Sequence, residues 1–97
     1  MLFAITNIDK PDSSALRAAT RETHLGYLDS IVSQLVLAGP LLNAENQPVG
    51  SLLVVEAESQ AAAEAFAEAD PYARAGLFGS MTIKPYRLVY RDGARVA

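Results

Sequence analysis

The chain holds one histidine, His24, which closes the run R-A-A-T-R-E-T-H over residues 17 to 24. Arg17, Arg21 and His24 recur every three or four residues, so a helix through them puts two guanidinium groups and an imidazole on one face. An imidazole changes charge near neutral pH and can take or give a proton, and a guanidinium can hold a carboxylate as a planar donor fork. Asp70 is the most informative carboxylate. It falls at the C-terminal end of an alanine-rich helix, where the dipole opposes negative charge by a few tenths to about 1 kcal/mol, so something must offset it. Asp70-Pro71 is also a standard helix start, with Asp as N-cap and Pro at the first position. The roles are compatible, because a carboxylate that caps a helix can also accept from an imidazole N–H. Ser51, after Gly50 at a strand start, offers a hydroxyl donor. No G-x-S-x-G turn surrounds it to make it a nucleophile, and Gly-Ser also serves as plain turn chemistry.

Cysteine is absent, which removes disulfides, thiolate catalysis and Cys-ligated metals. One histidine, with no H-x-x-x-H or comparable spacing, makes a poor metal site, and no phosphate-cradling loop or dinucleotide fingerprint is present. The expectation is no metal and no cofactor, with Tyr72, Tyr86 and Tyr90 packing in the sheet or a dimer.

Elements must bring these residues together. LFAITNI (2–8) reads as a strand ended by the turn formers DKPDSS, where Asp12 or Ser13 can cap a helix. A helical pattern runs from about Ala15 to Leu37, giving way to a strand near residue 35 around LVLAGPLL. NAENQPVG (43–50) is a hairpin-type loop into the strand GSLLVVEAE. Ser59 caps QAAAEAFAEA, whose Ala62, Ala65, Phe66 and Ala69 share a face, and PYARAG adds a helical turn. LFGSMTIKPYRLVY reads as a long terminal strand, bent by a bulge near Pro85 where the alternation slips. The order β-α-β-β-α-β specifies a ferredoxin-like α+β fold, a four-stranded antiparallel sheet with both helices on one face. Strands one and three are apolar on both sides, so the second face calls for cover by another subunit, which predicts a homodimer through sheet faces.

At about 100° per residue, Leu16, Leu25, Tyr27, Leu28, Ile31, Val32 and Leu35 fill one apolar sector of the first helix. Arg17, Arg21 and His24 fall inside it, towards its N-terminal half. Buried charges need partners or water, so the helix should border a polar pocket there. Snorkelling arginines and a hydrogen-bonded core histidine form the purely structural account of the same pattern.

The chain resembles the YciI-like (YCII-related) family along nearly its whole length. The resemblance is carried by DK-x-D-S at Asp9 to Ser13, R-x-x-H-L at Arg21 to Leu25, AGP at Ala38 to Pro40, GS at Gly50-Ser51, ADPY at Ala69 to Tyr72, AG at Ala75-Gly76 and KP at Lys84-Pro85. It implies a dimeric α+β barrel built from the ferredoxin-like fold, and an active site around a His and Asp pair, here His24 and Asp70. It also implies that Arg21 and Ser51 line that pocket and bind substrate. The family is associated with lyase-like dehydrochlorination of muconate-type acids.

Bulk properties fit such a protein. The 97 residues, 51% hydrophobic, suffice for one core, giving a single domain over 1–97. A net charge of -3 and eight scattered Lys and Arg give no case for nucleic acid. Neither a membrane span nor a secretion signal is visible, so the expected location is cytoplasmic. Two functional readings follow: a cofactor-independent acid–base enzyme of lyase or hydrolase type, for example for dehydrochlorination or isomerisation, acting on a small anionic, carboxylate-bearing compound, or a non-catalytic dimeric small-molecule-binding or accessory protein.

Overall fold

The computed structural model describes residues 1–97. Its elements are β1 (Leu2–Asp9), α1 (Ser14–Ser30), β2 (Leu35–Leu42), β3 (Pro48–Glu56), α2 (Gln60–Ala69), α3 (Pro71–Arg74), β4 (Phe78–Tyr86), and the short strands β5 (Tyr90–Arg91) and β6 (Ala94–Arg95). The four long strands form an antiparallel sheet in the order β2-β3-β1-β4, the ferredoxin-like arrangement the element order specifies. No helix is long and apolar enough to cross a membrane.

Register assigns the faces, since antiparallel partners project their side chains to the same side. Phe3 pairs Val55, Ile5 pairs Leu53 and Asn7 pairs Ser51, and all six are buried. Phe3, Ile5, Leu53 and Val55 build the core with Ala57, Ala63 and Ala67, and Leu28 of α1 packs against it. Both long helices therefore cover one face. The inward row of β1 and β3 ends in a polar pair, Asn7 and Ser51, and this is where the core gives way to the site.

Local signals hold at several ends. Ser59 caps α2, its Oγ accepting from the Ala62 amide at 3.1 Å. Asn43 Oδ1 accepts from the amides of Glu45 and Gln47 and closes the β2–β3 loop. Pro40 of β2 and Pro85 of β4 lie in the two edge strands, where a missing N–H need leave no ladder bond broken, and Pro48 is the first residue of the inner strand β3, another position that tolerates it.

Four sequence expectations are corrected. The first helix stops at Ser30, and residues 31–34 form turns before β2; the apolar sector thus outlasts the helix, and Val32 is 67% exposed. Ser13 sits at the N-cap of α1 without a capping bond, its hydroxyl donating instead to the Pro11 carbonyl. In α2 the buried residues are Ala63 and Ala67, while Ala65 is exposed. The terminal strand has no bulge at Pro85, since pairing runs regularly from Ile8–Ser80 to Leu2–Tyr86. It ends at Tyr86, which pairs Leu2, the first residue of β1, and the chain next pairs with itself in the β5–β6 hairpin.

Candidate active site

Arg17 and His24 are the only buried residues of α1. Two polar groups take the positions that apolar side chains would hold in an ordinary core helix, and each has a partner. Arg17 makes a two-pronged ion pair with Asp9, Nε to Oδ2 at 2.7 Å and Nη2 to Oδ1 at 3.0 Å. Its Nη2 also donates to the Gly50 carbonyl at 2.9 Å. Burial alone would lower the Arg17 pKa, but the hydrogen bonds and charge of Asp9 more than offset it, and the net shift is upward. Gly50 is also needed where β3 meets β1: a Cβ there would stand 2.4 Å from the Asn7 carbonyl oxygen.

His24 Nδ1 lies 2.8 Å from Asp70 Oδ1 in a buried contact. Asp70 occupies the junction of α2 and α3, ending the first and capping the second. Its Oδ1 also accepts from the Tyr72 amide at 2.9 Å. Capping and imidazole binding therefore coexist, as the sequence allows, and both fall on one oxygen. The other ring nitrogen, Nε2, has no hydrogen-bond partner, yet it is not sealed off: the one buried side-chain polar atom without a partner is Asn7 Oδ1.

That imidazole forms part of the wall of a cavity of about 360 Å³, which also reaches Arg17, Arg21, Ser51 and Tyr72. All four site residues read from the sequence thus converge: His24 and Asp70 touch, and Arg21 and Ser51 share the cavity with the imidazole. Arg21 is held only loosely, with a 63% exposed side chain 3.7 Å from its neighbour Glu22. Its guanidinium is free to take an anion. Ser51 Oγ is 3.3 Å from Asn7 Nδ2; with the amide donating, the hydroxyl keeps its own hydrogen for another acceptor. Leu25, Leu28, Pro40 and Leu53 supply apolar wall. No group of three or more His, Asp or Glu side chains gathers in the fold.

Tyr72 is placed differently from its sequence expectation. It stacks on His24 with ring centroids 4.0 Å apart and planes 21° from parallel, so it belongs to the site. Burial raises its phenol pKa, partly countered by Arg17 and Arg21. Asp9 and Asn7 are further site residues that spacing did not single out. Asn7 had one visible signal: it continues the inward alternation of Phe3 and Ile5, where a polar residue must meet another polar group.

A family model for the YCII-related domain matches residues 1–87. The proteins named Protein YciI from Escherichia coli O6:H1 and Shigella flexneri are each 37% identical over 98 residues, covering 93% of this chain and 100% of theirs. Among solved structures, 5-chloro-2-hydroxyhydroquinone dehydrochlorinase (TftG) from Burkholderia phenoliruptrix AC1100, in complex with 2,5-dihydroxybenzoquinone, superposes with a TM-score of 0.85. Its sequence is 34% identical, and the match covers 90% of this chain and 94% of that one.

Proposed function

The chain belongs to the YCII-related domain family, and on that premise we propose that it is a cofactor-independent enzyme in which His24 and Asp70 act as a general acid–base pair on a small anionic organic compound. The observation that carries this reading is the 2.8 Å contact between His24 Nδ1 and Asp70 Oδ1 at a cavity wall. A carboxylate on Nδ1 keeps the ring proton there and stabilises the imidazolium, leaving Nε2 as the base. Arg21 holds a substrate carboxylate, and Ser51 donates to a second oxygen. Nε2 then takes a proton from carbon, and the C–H electron pair forms a C=C bond. In dehydrochlorination, chloride leaves with its bonding pair; in isomerisation, the proton returns at another carbon. The likeness to a dehydrochlorinase at 34% identity and a TM-score of 0.85 supports this reaction class. Such a pair contributes roughly 10²- to 10⁴-fold in rate.

The test is a screen of the wild-type protein against small carboxylic acids, lactones and halogenated dienoic acids, repeated with His24→Ala and Asp70→Asn. Product from the wild type and none from the folded variants is the expected result. Turnover retained in both variants would remove the pair from the chemistry. A ligand that binds with no product formed would point instead to a binding protein.

We also propose that a second copy covers the outer sheet face. Register places Leu2, Ala4, Leu52 and Val54 on that side, with Leu37 and Leu41 of β2 beside them. Burying such a face against itself removes the apolar surface from water.

A further inference from the structure

We propose that Tyr72 is a positioning residue for both members of the imidazole–carboxylate pair, its ring fixing the plane of His24 and its amide fixing Asp70, with Arg17 clamped behind it. The inference builds on the acid–base reading of His24 in that it explains how Nε2 is aimed.

One hydrogen bond does not orient an imidazole. The Nδ1 to Oδ1 contact fixes where one nitrogen sits, but the ring can still tilt about that axis, and the last torsion of a histidine has broad wells. A second constraint is needed if Nε2 is to face the cavity in one direction. The stack on Tyr72, at 4.0 Å and 21°, supplies it. The same residue donates its amide to Asp70 Oδ1 at 2.9 Å, on the oxygen that meets the imidazole. Two residues of chain, from Asp70 to Tyr72, therefore set the partner and the plane together.

The stacking ring is itself held. The Arg17 guanidinium carbon lies 4.6 Å from the Tyr72 centroid. Imidazole and guanidinium are too large to share one face of a six-membered ring at these distances, so they take opposite faces. They also leave α1 seven residues, about two turns, apart, which is the separation such a sandwich needs. Arg17 cannot drift, being tied to Asp9 and the Gly50 carbonyl. Phe78 closes the edge of Tyr72, with centroids 6.1 Å apart and planes at 73°. Tyr72 is 2% exposed; phenylalanine retains the ring and the amide on which the positioning role rests, and lacks only the hydroxyl.

The lone histidine makes this testable, since a ¹⁵N-labelled protein gives one pair of imidazole nitrogen signals. At a pH where the ring is neutral, wild type and Tyr72→Phe are expected to show the well-separated signals of a single tautomer protonated on Nδ1. Tyr72→Leu is expected to keep that tautomer, which Asp70 sets, but to show a lower order parameter for the His24 ring C–H bonds as the ring swings about the Nδ1–Oδ1 axis. A folded Tyr72→Leu protein with the wild-type ring order parameter would overturn the proposal. Should Tyr72→Leu not fold, the wild-type spectrum decides: stacking shifts the His24 ring protons upfield with cross-relaxation to Tyr72 ring protons, and the absence of both would overturn it. With a substrate in hand, Tyr72→Leu should lose kcat with little change in KM. An unchanged ring order parameter rejects the role of Tyr72 alone, whereas turnover surviving in His24→Ala rejects the acid–base reading and leaves the ring-order result intact.

Discussion

Asp70 meets His24 at 2.8 Å across 46 residues of sequence, through the same oxygen that caps α3. The two jobs of that oxygen can be separated by substitution. Asparagine keeps an acceptor for the Tyr72 amide and is as good an N-cap as aspartate, so Asp70→Asn should lose the charge but keep the helix start. Asp70→Ala loses the cap, about 1 kcal/mol, and leaves a buried imidazole N–H without its partner at a further cost of about 1 to 3 kcal/mol. Thermal denaturation should therefore place Asp70→Ala clearly below Asp70→Asn. Equal melting temperatures would mean that the cap carries no weight.

The Arg17–Asp9 pair should behave as a buried one, because its side chains are only 9% and 6% exposed. Removing one partner strands the other charge, which typically costs about 3 to 5 kcal/mol. Asp9→Leu and Arg17→Met should each destabilise by that order in urea denaturation. The double variant should be less destabilised than the sum of the two, since neither charge is left alone. Strict additivity would show that the pair is not coupled.

Alkaline pH should loosen the fold from about pH 10 upward. Burial raises the phenol pKa of Tyr72 and of Tyr27 above the ordinary 10.0; Arg17 and Arg21 partly counter it at Tyr72, while the Asp70 charge adds to it at Tyr27. Once the unfolded tyrosines ionise, the folded state binds more protons, so unfolding becomes easier as pH rises. The stabilisation is thus full below the unfolded pKa and is lost as pH passes through the folded one. Urea midpoints between about pH 8 and about pH 11 should fall, with a shallower fall in Tyr72→Phe. A flat profile in the wild type would contradict the raised values.

What the sequence made legible is what depends on neighbours in the chain. The apolar run LFAITNI and the turn formers after it located β1, while its inward row came only from the pairing with β3; Ser59 announced α2 through a bond spanning three residues. The polar face of α1 was legible for the same reason, since helical spacing alone groups Arg17, Arg21 and His24. The end of α1 was not, because Ile31 and Val32 extend the apolar period past the last helical turn, and the pairing of β2 with β3 decides where the strand begins. The end of β4 was equally hidden, since its last residue, Tyr86, is fixed by pairing with the first residue of β1, Leu2. Tyr72 illustrates the remaining gap. Its place between His24 and Arg17 follows from the packing of α3 on α1, and no pattern within residues 69–76 encodes it.

The outer sheet face yields an expectation about assembly that does not depend on catalysis. Leu52 projects from that face, opposite Thr6 on one side and Gly39 on the other, and it is only half-buried. A glutamate there remains solvated in a single copy, so the fold should tolerate it with little loss of stability. In a dimer packed through this face, the same carboxylate would be trapped against its symmetry mate, where like charges and desolvation both oppose association. Sedimentation at micromolar concentration should give a dimer for the wild type and a folded monomer for Leu52→Glu, with unchanged far-UV circular dichroism. A wild-type monomer would leave the apolar face to some other cover. A dimer that survives Leu52→Glu would place the interface elsewhere, for instance on the exposed edge of β2 or β4.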